Sequence, residues 1–211
     1  VVREGMSMRV EILKDKTELD QTAPFRVECL LWGTRAIPVT YGYLGFVRGE
    51  GFYLKMMCEE KDPLRTYVNA MDPVYRDSAM EAFFQFEPKN GGKASSVYLN
   101  FEVNGNGALL AGYGSGRIYR TYFCREEVEI FDCKARVDES QWEFSLHIPI
   151  EVLERIYGSL ELEEGSVFKC NFYKISESKE IEHYASCFPI DSKTPSFHLP
   201  EYFGKARLCA K

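Results

Sequence analysis

The chain has 211 residues, a net charge of −6, 45% hydrophobic residues and 14% aromatic residues. This apolar content exceeds that of a disordered chain and suffices for a core. The acidic balance, with no Lys/Arg cluster, argues against a phosphate backbone as partner. No stretch reaches the ~18–20 apolar residues of a membrane span, so neither nucleic acid nor a membrane is expected as a partner.

Taken in chain order, the dominant signal is alternation with period two, the mark of strands with one buried face. Tyr41 to Val47 and Phe52 to Met57 are two β-rich runs, and Arg48-Gly49-Glu50-Gly51 between them predicts a hairpin, because glycine permits positive φ. Met80, Ala82, Phe84 and Phe86 alternate with Glu81, Phe83 and Gln85. Val97, Leu99, Phe101 and Val103 alternate with Tyr98, Asn100, Glu102 and Asn104 before the turn residues Asn104-Gly105-Asn106-Gly107. Gly112 to Gly116 reads as a hairpin loop.

Further on, Trp142, Phe144, Leu146 and Ile148 alternate with Glu143, Ser145, His147 and Pro149, which predicts a core-covering strand. Pro149 to Tyr157 has Pro at its start, Ile150, Leu153 and Ile156 at helical spacing, and Gly158 beyond, predicting a short helix. Phe168, Cys170 and Phe172 face away from Lys169, Asn171 and Tyr173. Three of these strands are thus expected to show polar outer faces. The Pro189 to Pro200 stretch is too aromatic for a tail and reads as an ordered loop leading to a last strand, Lys205 to Ala210.

Strands recurring about every ten to fifteen residues, without crossover helices, predict an all-β antiparallel sandwich with one or two short helices. No linker or repeat divides the chain, so a single domain over residues 1–211 is expected. The seven cysteines are odd in number and include no C-x-x-C pair, which predicts free thiols. Val1 to Lys16 lacks the apolar region of a signal peptide, so a cytoplasmic location is expected.

No nucleophile elbow, zinc-protease helix or phosphate loop is present. His147, His183 and His198 are too scattered to indicate a metal site. Glu81 and Glu102 sit on the polar faces of two successive strands and can approach each other. Three readings stay open for them: solvated sheet surface, hydrogen bonding to a ligand, or the carboxylate pair of a glycosidase-like hydrolase.

Four motifs in order carry a family resemblance. They are Val74-Tyr75-Arg76-Asp77-Ser78-Ala79-Met80-Glu81-Ala82-Phe83, Tyr98-Leu99-Asn100-Phe101-Glu102-Val103-Asn104, the Trp142 strand ending His147-Ile148-Pro149, and Ser196-Phe197-His198-Leu199-Pro200-Glu201-Tyr202-Phe203-Gly204. Together they resemble the family 9 carbohydrate-binding modules over roughly residues 70–210, with only the strand pattern matching before that. The resemblance implies a β-sandwich related to the DOMON-type fold that holds a mono- or oligosaccharide without transforming it. In xylanase-attached members two tryptophans clamp the sugar; Tyr75 and Phe197 stand at the matching positions, Glu81 at an acidic one, and Glu102 where those members carry an arginine.

The expected ligand set is therefore Tyr75 and Phe197 for stacking, with Arg76, Glu81, Asn100, Glu102, Asn104 and Asn171 for hydrogen bonds. No catalytic residue, metal ligand or cofactor is expected, although calcium occurs in family members and is implied to that extent by the resemblance. The partner enzyme is left open. A sandwich that has lost sugar binding and serves structure or interaction is the remaining alternative.

Overall fold

Residues 7–88 and 96–211 are described by the computed structural model, so the first part of the Val1 to Lys16 stretch lies outside them. The alternating runs form strands: β1 (Met8–Leu13), β2 (Phe25–Arg26), β3 (Cys29–Leu30), β4 (Thr40–Val47), β5 (Gly51–Cys58), β6 (Ala79–Gln85) and β7 (Tyr98–Asn104). They are followed by β8 (Leu109–Gly114), β9 (Arg120–Tyr122), β10 (Lys134–Val137) and β11 (Trp142–Pro149). After the helix α1 (Ile150–Tyr157) come β12 (Val167–Ser176), β13 (His183–Ser186) and β14 (Gly204–Cys209). Four short 3-10 turns, at Lys16–Gln21, Val74–Arg76, Val128–Phe131 and Pro200–Tyr202, complete the described elements.

The main path of strands runs β10-β11-β5-β4-β1-β14-β12-β6-β7-β8-β9, with β2, β3 and β13 attached at its side. The path curls so that its two halves face each other as a sandwich. Phe52 of β5 meets Phe168 of β12 at 5.1 Å and Phe84 of β6 at 6.5 Å, and Phe25 stacks on Phe172 at 3.8 Å. Between the halves lie the residues that alternation selects: Leu54 and Met56, Phe144 and Leu146, Met80 and Ala82, Leu99 and Phe101, Phe168 and Phe172. Burying each large side chain contributes about 1.5–3 kcal/mol, so this layer dominates stability.

Pairing is antiparallel except at β1, which lies parallel to both β4 and β14 and joins the two halves. The hairpins fall where their turn residues sit: Gly49 takes φ 77° between β4 and β5, and Gly107 takes φ 75° between β7 and β8. Helix α1 starts after Pro149 and stops at Gly158, whose φ is 82°. Glu151 lies in its first turn and Arg155 in its last, each at the favourable end of the dipole. At eight residues, the α-helix is far too short to cross a membrane, and no helix among the described residues is long and apolar enough to do so. All seven cysteines are free thiols.

The polar outer faces expected for β6, β7 and β12 differ from what the fold provides. Every residue of β6 and β7 is buried on both faces. A second apolar layer, with Leu31, Ile190, Phe197 and Phe203 as members, covers Phe83, Tyr98 and Tyr173. The physical reason is the return of residues 187–203 across the sheet before β14, anchored by Tyr202 Oη donating to the Asp191 carbonyl at 2.6 Å. A face that looks solvated from alternation is therefore interior, except where this cover leaves a gap.

Candidate functional site

The gap lies over a single row of cross-strand neighbours. Register pairs Tyr173 with Glu81, Glu81 with Glu102, and Glu102 with Leu110, so the two carboxylates stand side by side on one face. Directly opposed side chains have Cβ atoms about 4.5–5.5 Å apart. Glu81 and Glu102 are each only 3% exposed.

Above them is a cleft offering about 180 Å³ to solvent. A single water needs only about 10–15 Å³ by the same kind of measure, so the cleft suits something much larger. Its walls are aromatic: Trp32, Tyr75, Tyr122, Tyr184 and Phe197. Glu177, Arg117, Ser196 and His198 supply polar groups around them.

Each wall has a local origin. Tyr75 sits in the 3-10 turn Val74–Arg76, and its carbonyl accepts from Glu177 N at 2.9 Å, which ties this lip to the end of β12. Phe197 comes from the covering loop and stacks on Tyr173 at 4.1 Å with planes 14° apart. Trp32 follows β3 in the left-handed region, φ 49°, which is uncommon for a bulky residue. Its indole N–H donates to the Ser192 carbonyl at 2.7 Å, and its ring lies 5.5 Å from both Phe197 and Tyr184. Backbone strain held by surrounding contacts is a feature of ligand clamps, which draws attention to Trp32.

The floor is held from beneath. Arg120 donates to Asn100 Oδ1, which leaves the Asn100 amide nitrogen to donate to Glu102 Oε1 at 3.0 Å. Arg120 also donates to the Tyr98 carbonyl at 3.2 Å and lies 4.5 Å over the Tyr98 ring, while its buried Nε has no hydrogen-bond partner among the described residues. Tyr98 Oη and His198 Nδ1 are 2.8 Å apart. Burial, with Arg120 and Arg117 nearby, pushes His198 down to about 3, so it is a neutral imidazole.

Burial also governs the carboxylates. It raises Glu81 well above the usual range, with Glu102 and Glu177 adding repulsion and Arg117 opposing it weakly. It raises Glu102 to about 7 despite the Asn100 hydrogen bond and the attraction of Arg120 and Arg117. Two adjacent buried carboxylates titrate as a pair, and together they retain protons into the neutral range.

Of the residues expected from sequence, Tyr75, Glu81, Glu102 and Phe197 meet in this one cleft. Asn100 lies beneath the floor as the link between Arg120 and Glu102. Arg76 falls in a neighbouring groove with Leu64, Tyr67 and Asp77. Asn104 is taken up by the hairpin, donating to the Tyr67 carbonyl and Asp77 and accepting from the amides of Asn106 and Ala108. Asn171 fastens the covering loop, exchanging hydrogen bonds with the backbone of Phe188. These last two amides are consumed by the fold.

Trp32, Tyr184, Tyr122, Arg117 and Glu177 also line the cleft and belong to none of the motifs read from the sequence. Trp32 lies in a stretch without periodic pattern, and only its aromatic type in a loop offers a sequence signal. Among the described residues no group of three or more His, Cys, Asp or Glu side chains is placed to hold a metal ion.

The sequence profile of carbohydrate-binding family 9 matches residues 13–208. The chain belongs to carbohydrate-binding family 9. No curated protein matches it. Among solved structures, a Bacteroides uniformis protein provisionally named as carbohydrate-binding superposes with a TM-score of 0.81 at 22% identity, covering 97% of this chain and 100% of that one. A family 9 module from Caldicellulosiruptor kristjanssonii in complex with cellotriose gives 0.65 at 12% identity, covering 98% and 95%. A module of the same family and organism in complex with glucose gives 0.63 at 13%, covering 96% of each chain. At these identities the likeness establishes the shared β-sandwich fold.

Proposed function

We propose that this family 9 chain holds a mono- or oligosaccharide in the cleft above Glu81 and Glu102 and does not transform it. The observation that carries the reading is the convergence of Trp32, Tyr75 and Phe197, from three remote segments, around a solvent-open gap with carboxylates at its floor. A pyranose face presents C–H groups to aromatic rings, and its edge hydroxyls need polar partners. Tyr75 forms one wall, with Trp32 and Phe197 among the others. Phe197 is 5% exposed and already stacked on Tyr173, so Trp32 offers the larger free ring. Glu81 and Glu102 accept from hydroxyls, or donate when protonated.

The same geometry speaks against a hydrolase. A glycosidase places its two carboxyl groups on either side of the scissile bond. Opposed residues on one sheet face instead point the same way, toward one side of any sugar. Family 9 modules are non-catalytic, and the modules from Caldicellulosiruptor kristjanssonii are complexed with cellotriose and glucose, which supports binding without turnover.

Calorimetric titration with glucose, cellotriose and a panel of other mono- and oligosaccharides tests the reading. Trp32→Ala should weaken whichever sugar binds by about 1–2 kcal/mol, the scale of a buried aromatic hot spot. Binding unaffected by Trp32→Ala would move the sugar out of this cleft.

A further inference from the structure

Resting on the cleft as the sugar site, one property of its interior narrows the ligand class. The interior is rich in acceptors: Glu81 and Glu102 on the floor and Glu177 on the wall. Glu81 is nine-tenths buried or more, and among the described residues its carboxylate receives no hydrogen bond from the protein, yet it lines the open cleft. Like charges directly opposed across two strands are unfavourable, so the pair resists full ionisation unless a cation sits beside it.

The protein's own cations attract the pair only from a distance and form an ion pair with neither carboxylate among the described residues. Arg120 is committed to Asn100, the Tyr98 carbonyl and the carbonyls of Gly114 and Gly116, and reaches Glu102 only through Asn100. Arg117 is exposed on the loop between β8 and β9 and makes no ion pair with either carboxylate. His198 is neutral. The hydroxyl of Tyr184 donates to Glu182, and Tyr173 and Tyr98 are neutral phenols packed at the floor's edges. The aromatic walls present ring faces that attract a cation as well as a sugar C–H face.

We propose that the cleft selects sugars bearing a free, protonated amine, with the ammonium seated between Glu81 and Glu102 and the sugar ring against Trp32 or Tyr75. An ammonium supplies three donors and a positive charge at a floor whose side chains are two adjacent carboxyl groups. A neutral sugar satisfies the hydroxyl contacts but offers the buried carboxylates no countercharge, and an N-acetylated sugar loses the charge.

The proton balance follows from the same groups. Free protein carries protons on the carboxylate pair near neutrality, and an ammonium favours the ionised form, so binding expels protons to the buffer. Affinity therefore rises with pH as Glu102 titrates toward 7, until the amine itself deprotonates.

The test titrates the full chain with the fully deacetylated β-1,4-glucosamine trimer, its N-acetylated counterpart and cellotriose, in two buffers of different ionisation enthalpy. The expected result is at least about tenfold tighter binding of the deacetylated trimer near neutral pH, modest against the attraction between unit charges at a partly buried site. Proton release on binding and an affinity rising between about pH 5 and 7 should accompany it. In the Glu81→Gln, Glu102→Gln double variant the preference should fall toward unity and proton release should vanish. Either single variant reads the same trend if the double variant does not fold.

Cellotriose binding as tightly as the deacetylated trimer would overturn the amine inference while leaving the cleft as a sugar site. Failure of all three to bind would overturn both. A preference that survives the double variant and disappears in salt would reduce it to general attraction toward an acidic chain.

Discussion

Two buried polar clusters lie on opposite faces of β6 and β12, a few residues apart, and their difference separates polarity that holds the fold from polarity that awaits a partner. On the core face, Lys174 is fully buried, as is the Ser78 hydroxyl. The Lys174 ammonium donates to Ser78 Oγ at 2.6 Å, contacts His183 Nε2 at 2.8 Å and pairs with Glu60 at 3.7 Å. Glu60 in turn accepts from Ser78 at 2.6 Å and from the Trp142 indole at 2.9 Å. His183 Nδ1 lies 2.6 Å from the Ile181 carbonyl, which places the imidazole proton there and leaves Nε2 to accept from Lys174. On the other face, Glu81 has no such bond and Glu102 has one from Asn100. Both clusters centre on buried groups, but completion differs, and only the incomplete cluster lines the cleft.

The comparison breaks first at Lys174. Removing one member of a buried pair leaves its partner uncompensated, which costs about 3–5 kcal/mol. Lys174→Ala should lower the urea midpoint by that equivalent, while sugar affinity of the fraction that stays folded is unchanged, because the cluster does not touch the cleft. A loss below about 1 kcal/mol would show that the network is not the closed structural unit described above.

A smaller effect of opposite sign is expected at the floor. Glu102 is raised from 4.5 to about 7 on folding, so between those values the native chain holds more protons than the unfolded one. Stability from this group is therefore highest below 4.5 and declines as pH rises to 7. Glu102→Gln should flatten that decline and stabilise the free protein by about 1–3 kcal/mol above neutrality. His183 runs the other way: lowered from 6.5 to about 4, it makes the native chain hold fewer protons, so stability is lost as pH falls through that range. The two slopes oppose each other from about 4.5 to 6.5, and only the glutamate slope remains above. Thermal midpoints of both proteins across this range read the difference directly.

What the sequence discloses divides along the same line. Hairpins at Gly49 and Gly107 and the helix from Ile150 to Tyr157 are set by local chemistry, and each stands where its residues predict. Alternation also sorts Phe168, Cys170 and Phe172 to the core, and by the same count it places Lys174 there. Residue type alone would put that lysine in water; its partners Glu60 and Ser78 lie about a hundred residues earlier, and no short-range pattern links them. The outer face of Glu81, Phe83, Asn100 and Glu102 reads as solvated for a related reason: its cover is supplied by residues 187–203, and contact over that separation leaves no periodic trace. The parallel placement of β1 between β4 and β14 is likewise a long-range choice. Alternation singles out Glu81 and Glu102 and motif order adds Tyr75 and Phe197, whereas Trp32 follows two two-residue strands that carry no motif.

The smallest expected effect separates the aromatic walls from each other. Tyr75 is half-buried and sits on a short 3-10 turn, so truncating its ring removes contact area mainly from the cleft. Phe197 belongs to the second apolar layer, where loss of a buried phenyl costs about 3–5 kcal/mol of stability. Tyr75→Ala should therefore weaken sugar binding by about 1 kcal/mol, since one stacking ring is lost, and shift the unfolding midpoint little. Phe197→Ala should do the reverse in proportion, with stability falling more than affinity. Urea unfolding and calorimetric titration of the two variants side by side read both quantities. Equal losses of stability would place Tyr75 within the packed layer and leave Trp32 as the principal stacking surface, because its remaining ring contacts are edge or tilted ones at 5.5 Å that leave a face toward the cleft.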